Sequence, residues 1–98
     1  MVTEQNAALA NMGTASWSAE DGTAYEVALE GINHVVGAYS RLIARAEEAG
    51  DADRAAALAA EQSAWAARRK ILTPQNRAEV DTVTDESAQM LTQLRSAR

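Results

Sequence analysis

The sequence predicts an all-α protein: a small bundle of three to four helices around a long antiparallel helical hairpin, completed by dimerisation. Three observations support this prediction. Alanine, the strongest helix former, supplies 23 of the 98 residues. Apolar residues recur at alternating steps of three and four, as they do along one side of an α-helix. Glycines and the single proline divide the chain into four segments, and each segment has a helical pattern.

The composition limits how much core one copy can build. A chain of 98 residues is one domain, and a domain of this size has a thin stability margin. Apolar residues make up 47% of the chain, but half of them are alanine and none is phenylalanine. Each alanine buries little surface, at roughly 25 cal/mol per Å². A second copy that shares its apolar surface would compensate, and we therefore expect a homodimer.

Residues 1–22 are predicted to form an N-terminal arm, and residues 23–98 the main helical domain. The arm contains a short helix over residues 4–12, with Thr3 as its N-cap and Gly13 at its end. A loop follows, in which Trp17 docks on the body of the protein. Asp21 and Gly22 form a turn signal at its end.

A long amphipathic helix is predicted next. Thr23 and Glu26 have the spacing of a capping box and mark its start, and Gly50 stops it after Ala49. Its predicted buried side combines a continuous stripe, Tyr25, Leu29, Ile32, Val36, Tyr39, Ile43 and Ala46, with Ala28, Val35 and Leu42 beside it.

Two further helices complete the domain. The Gly50–Asp51 hinge is short, which predicts that the next helix, over residues 52–72, returns antiparallel to the first. Thr73 and Pro74 then end this helix and begin another. The predicted buried side of the helix after Pro74 is Val80, Val83, Ser87, Met90, Leu91, Leu94 and Ala97.

The helix over residues 52–72 is predicted to make the closest helix contact of the protein. Small residues at three- and four-residue steps permit two backbones to approach. Glu61 and Arg68 project within this apolar side, which suggests interhelical or intersubunit ion pairing that sets the register. The candidate helix–helix or dimer interface is Ala57, Ala60, Glu61, Ala64, Trp65, Arg68 and Ile71, and Ala67 continues its alanine stripe.

The stretch EGINHVVGAYSRLIAR contains the only histidine of the chain. At 100° per residue, His34 projects about 200° from Ile32 and therefore lies on the polar side of the long helix. Gly31 lies on a flank where a second helix can approach, and Gly37 points towards the polar side. A solvated helix surface explains this side adequately. The sharper hypothesis is a partner-binding face made of Glu30, His34, Gly37, Arg41 and Arg45.

Several chemistries lack the residues they need. The chain has no cysteine and one histidine, so we predict no catalytic, cofactor-binding or metal-ligating residues, and no enzymatic activity. The net charge of -5 disfavours nucleic acid as a partner. No apolar run approaches the roughly 20 residues of a membrane helix. The absence of cysteine and of a basic leader predicts a cytoplasmic location without membrane association.

These observations predict a non-enzymatic helical interaction protein, a homodimer that binds another macromolecule, most plausibly a protein. The alternative is a regulator that binds a small ligand or a nucleic acid. Its basic surface would combine residues of two subunits despite the acidic net charge: Arg41, Arg45, Arg68, Arg69 and Lys70.

Overall fold

The computed structural model describes residues 18–97, which form three helices and no strand. Helix α1 spans Ala19–Glu48, α2 spans Ala52–Ile71, and α3 spans Arg77–Ser96. The all-α class predicted from the sequence is confirmed for this part of the chain. The helix predicted over residues 4–12 and the predicted docking of Trp17 lie outside the described residues.

The N-cap of helix α1 lies five residues earlier than the sequence pattern suggested. Ser18 is the N-cap: its hydroxyl accepts from the backbone N–H of Asp21, and the Asp21 carboxylate accepts from the backbone N–H of Ser18. The predicted start at Thr23 is therefore wrong, and Asp21 and Gly22 lie in the first turn of the helix. Ser18 with Asp21 and Thr23 with Glu26 both have the three-residue spacing of a capping box. The earlier one adds a helical turn, and Arg77 of α3 binds Asp21 there.

The link between α1 and α2 follows the prediction closely. Gly50 has φ of 74°, a left-handed conformation that ends a helix with little strain when the residue is glycine. Its N–H binds the carbonyl of Glu47, and the N–H of Asp51 binds the carbonyl of Ala46. Asp51 then caps α2 by accepting from the backbone N–H of Arg54 at 3.1 Å.

Side-chain contacts show how α2 runs along α1. Near the middle of α2, the Gln62 amide donates to the Val36 carbonyl at 2.9 Å and to the Ser40 hydroxyl at 2.8 Å. Nearer the end of α2, Arg69 donates to Asn33. Because the partner on α1 moves towards the N-terminus as α2 advances, the two helices are antiparallel.

Helix α3 begins at Arg77, after a turn that contains Pro74. Asn76, not Thr73, is its N-cap and accepts from the backbone N–H of Glu79 at 3.2 Å. The predicted start at Thr73–Pro74 is therefore wrong by three residues. Asp21 lies beside the start of α3, and Gly31 lies beside Ser87 in its middle. The difference in residue number is the same for both pairs, so α3 runs parallel to α1.

The buried core lies between α1 and the two helices that pack on it. Tyr39, Ile32 and Val35 are the largest fully enclosed side chains of α1, and Val80 and Val83 are those of α3. The predicted buried sides of these two helices are confirmed, with the centre of the α1 side shifted towards Ala28, Val35 and Leu42. The remaining predicted core residues are partly buried against this cluster: Tyr25, Leu29, Val36, Ile43, Met90, Leu91, Leu94 and Ala97.

Helix α2 packs on only part of the side expected, because the predicted interface residue Trp65 turns inward whereas the predicted alanine stripe does not. Leu58, Trp65 and Leu72, seven residues apart, are the buried residues at its inner side. The alanines predicted to make the close contact are exposed instead, and Ile71 is 80% exposed. Two stripes of apolar residues thus lie on this helix: one contains Leu58, Trp65 and Leu72, and the other contains the predicted alanines and Ile71. The stripe of larger side chains removes more apolar area from water, and this decides which stripe turns inward.

Helices α1 and α3 approach each other closely where Gly31 meets Ser87. A Cβ built on Gly31 would lie 2.3 Å from the Ser87 Oγ and 3.2 Å from its Cβ. Ser87 is buried, and its hydroxyl donates to the Thr84 carbonyl at 3.1 Å. Glycine at position 31 is thus explained by packing, whereas a Cβ at Gly37 would meet no atom within 4 Å.

Replacing each of these two glycines by alanine should therefore change the stability by different amounts. Both variants gain helix propensity, about 1 kcal/mol relative to glycine. Only Gly31→Ala must displace Ser87, at an overpacking cost of about 1 to 3 kcal/mol. We expect urea unfolding to place the stability of Gly31→Ala below that of Gly37→Ala by this cost. Equal midpoints for the two variants would contradict the close approach of α1 and α3.

Candidate functional site

The predicted partner-binding residues of α1 lie together on one solvent-facing side. Glu30, His34, Arg41 and Arg45 are exposed, and Gly37 is half-buried with open space where a side chain would project. We call these five residues the outer face of α1. Their spacing of three and four residues keeps them in one row along the helix. His34 therefore lies on the polar side, as predicted, and its binding role stays a prediction.

The predicted interface residues of α2 are divided between two sides of the helix. Trp65 is buried in the core. Arg68 is half-buried, and Glu61 is exposed. The small residues and Ile71 make no contact with the core of the described chain, so a role for them in a dimer stays a prediction. These exposed residues, which we call the α2 stripe, are Ala57, Ala60, Ala64, Ala67 and Ile71.

Arg68 provides the ionic link between α2 and α3. Its guanidinium lies 2.7 Å from a carboxylate oxygen of Glu86 and 3.6 Å from one of Glu79. It also lies over the Trp65 ring, 4.7 Å from the ring centre. A guanidinium suits this position because it can bridge two carboxylates and stack on an aromatic face. The sequence suggested interhelical or intersubunit ion pairs, and Arg68 makes interhelical ones.

Glu61 takes part in a second polar contact that the sequence pattern did not specify. The Tyr39 hydroxyl donates to a Glu61 carboxylate oxygen at 2.9 Å and lies 3.7 Å from the Met90 sulfur. One tyrosine of α1 thus contacts both α2 and α3. Burial raises the pKa of Tyr39 to about 12, and the hydrogen bond to Glu61 and its negative charge act in the same direction.

A shallow groove between α1 and α3 was not predicted. It has a volume of about 220 Å³, and its α1 side carries Val27 and His34. Its floor is shallow because Gly31 and Ser87 bring the two helices close together. The small residues at these positions were the available signal, but the sequence did not show which helix faced Gly31. The groove residues are Val27, Glu30, Gly31, His34, Thr84, Ser87, Ala88 and Leu91.

The N-terminal end of α1 is tied to α3 by ion pairs. Arg77 lies 2.9 Å from a carboxylate oxygen of Asp21 and 2.9 Å from one of Asp81. The hydrogen bond from Arg77 holds the pKa of Asp21 below its usual value, and the backbone N–H of Ser18 adds to this effect. Arg77 therefore positions the start of α3 and is not free to bind a partner.

The proposed basic surface has fewer available cations than the sequence suggested. Arg68 is engaged by Glu79 and Glu86, and Arg69 donates to Asn33 on α1. Arg41 and Arg45 lie on the outer face of α1, away from the end of α2 where Lys70 is exposed. One copy thus does not bring the five cations into one patch.

Other functional classes find little support in the described part of the chain. Within residues 18–97, no three His, Cys, Asp or Glu side chains are grouped so that they could hold a metal ion. None of the three helices combines the length and the apolar character that crossing a bilayer requires. What these residues offer is a set of surfaces: the outer face of α1, the α2 stripe and the groove.

Comparison with known proteins adds no assignment. No protein-family model matches the chain, and no curated protein or solved structure is significantly similar to it. Inferences about function therefore depend on the geometry of these surfaces.

Removing the Arg68 side chain should loosen α3 from α2. We expect Arg68→Ala to lower the free energy of unfolding by about 1 kcal/mol, since it removes partly exposed ion pairs and the contact with Trp65. Arg69→Ala, which loses one exposed hydrogen bond, should cost less than about 0.5 kcal/mol. Chemical denaturation of both variants at low and high salt checks this, because only the ion-pair part is screened. Equal losses would contradict the role of Arg68.

Replacing Tyr39 by phenylalanine should change how stability depends on alkaline pH. The folded chain keeps this phenol protonated up to a pKa of about 12, whereas in the unfolded chain it ionises near 10. A raised folded pKa stabilises the fold below the unfolded pKa, and that contribution is lost as pH rises through the folded value. The stability advantage of wild type over Tyr39→Phe should therefore shrink from pH 10 towards 12.

Urea unfolding of both proteins at about pH 8 and about pH 11 measures this difference. Tyr25 is present in both proteins, so its own ionisation cancels. A stability difference that stays constant or grows with pH would contradict the protonated, buried state of Tyr39.

Proposed function

We propose that this chain is a non-enzymatic interaction protein that pairs with a second copy through the α2 stripe and binds another macromolecule through α1. The observation that carries the proposal is the exposure of the α2 stripe. Ile71 is 80% exposed, and the alanines that precede it at helical spacing are exposed as well. Covering such a side is favourable by roughly 25 cal/mol per Å² of apolar area. Its heptad steps are those of helices that pack on another helix.

The distribution of charge along α2 supports an antiparallel arrangement of the two copies. Asp53 lies in the first turn of α2 and Lys70 in the last, and both are exposed. If two α2 helices cross near Gln62, Ala60 of one copy faces the partner's Ala64. Asp53 then lies within one residue of the level of the partner's Lys70. Opposite charges at the two ends favour this direction over a parallel one.

The outer face of α1 is the proposed surface for a different partner. It shares no residue with the α2 stripe and lies on another helix, so we expect that both surfaces can be occupied together. Its exposed Arg41 and Arg45 offer charge-assisted hydrogen bonds, and the open space at Gly37 allows a partner to approach the backbone. These features suit the recognition of a protein surface.

A single charge in the α2 stripe should prevent self-association. We expect wild type to sediment as a dimer at micromolar concentrations and Ala64→Glu to sediment as a monomer, because the new carboxylate would be buried against an alanine surface. Ala44→Glu is the matched control, since Ala44 is also exposed in mid-helix but lies on α1. It should remain dimeric.

Circular dichroism should show that both variants keep their helices, because neither position contributes to the core. A monomeric wild type throughout this concentration range would refute self-association. Equal masses for the two glutamate variants would refute the α2 stripe as its site.

A further inference from the structure

The groove between α1 and α3 has the shape of a docking site for a side chain of a partner. Its volume of about 220 Å³ is below the range of about 300 to 1,000 Å³ that is usual for small-molecule sites. Gly31 and Ser87 keep the floor free of long side chains, and Ala88 leaves space beside them. The space between Val27 and Leu91 is of a size that suits a large apolar side chain of a partner.

The exposure of Val27 distinguishes this groove from an ordinary crevice between helices. Val27 is 52% exposed, and among the described residues only Val27 and Ile71 are large apolar side chains with such exposure. Ile71 belongs to the α2 stripe. Val27 has no comparable explanation within the fold, because it points away from the core and towards the groove.

The charges around the groove indicate the character of its occupant. Glu30 lines it on α1. Asp85 is exposed on α3 outside the lining, next to Thr84 in sequence and about one helical turn before Ala88. The ion pairs of the described residues leave both carboxylates without a cation. Arg77 is already shared by Asp21 and Asp81. Arg41 lies about 16 Å beyond Glu30 along α1, which exceeds the Debye length of about 8 Å in physiological salt.

We propose that the groove binds a basic amphipathic helix of a partner protein. One large apolar side chain of that helix fills the space between Val27 and Leu91. Lysine or arginine residues one turn away bind Glu30 and Asp85. Recognition of an amphipathic helix by an apolar groove with complementary charge is a common mode of protein interaction. The inference rests on the proposed function, because it specifies a partner for the end of the outer face of α1 that contains Glu30 and His34, and it uses a surface separate from the α2 stripe.

A pair of synthetic peptides tests the proposal without knowledge of the natural partner. The first is a blocked amphipathic helix of about 16 residues made of leucine, alanine and lysine, labelled with a fluorophore. The second has glutamate in place of every lysine. Fluorescence anisotropy with the full chain should give saturable binding of the lysine peptide and binding at least about tenfold weaker for the glutamate peptide.

Matched variants separate the groove from general attraction to an acidic protein. Ala88→Gln fills the groove, and Ala67→Gln makes the same uncharged change on the α2 stripe; both positions are exposed, so both variants should fold. We expect Ala88→Gln to weaken the lysine peptide about tenfold and Ala67→Gln to leave it unchanged. Glu30→Gln combined with Asp85→Asn should remove most of the preference for lysine over glutamate.

Three outcomes would overturn the proposal. They are no saturable binding of the lysine peptide, equal affinities of the Ala88→Gln and Ala67→Gln variants, and equal affinities for the two peptides. Sedimentation of the Ala88→Gln variant as a monomer beside a dimeric wild type would assign the groove to a second copy instead. The test is independent of self-association through the α2 stripe, because loss of the dimer in Ala64→Glu leaves peptide binding by the groove intact.

Discussion

The structure depends on α1 as the common packing partner of the other two helices. It supplies seven of the twelve buried apolar residues in the described part of the chain. Helices α2 and α3 pack on different sides of α1, and their backbones do not approach each other closely. A sequence with few large apolar side chains can still form a core in this way, because α1 packs against both neighbouring helices and its Tyr39 contacts both of them.

Polar side chains complete the packing where α2 and α3 remain apart. Tyr39 reaches Glu61 on α2 and Met90 on α3, and Arg68 reaches Glu79 and Glu86 on α3. These contacts specify the relative position of α2 and α3, which small apolar side chains alone would specify weakly. Their partial exposure keeps the desolvation cost of the charges low, so a polar link is tolerable here.

Because the chain has few large apolar side chains, the packed core leaves surfaces available for interaction. Once Leu58, Trp65 and Leu72 turn inward, the alanines of the α2 stripe stay exposed. The close crossing of Gly31 and Ser87 similarly produces a shallow groove, because it brings two backbones together without filling the space beside them. Both proposed surfaces are thus consequences of how this core is assembled.

The sequence by itself determined the all-α class, the buried sides of α1 and α3, the helix end at Gly50 and the polar position of His34. Each of these follows from local periodicity or from the conformational freedom of glycine, which neighbouring residues encode. Only the tertiary structure decided which of two adjacent stripes of α2 turns inward, which of two capping boxes begins α1, and which residue lies against Gly31. These choices depend on contacts between distant segments: the area buried by Leu58 and Trp65, the ion pair of Asp21 with Arg77, and the position of Ser87 on a parallel helix. The local sequence pattern is compatible with either alternative in each case. The difference in free energy between the alternatives arises only from contacts between the packed helices.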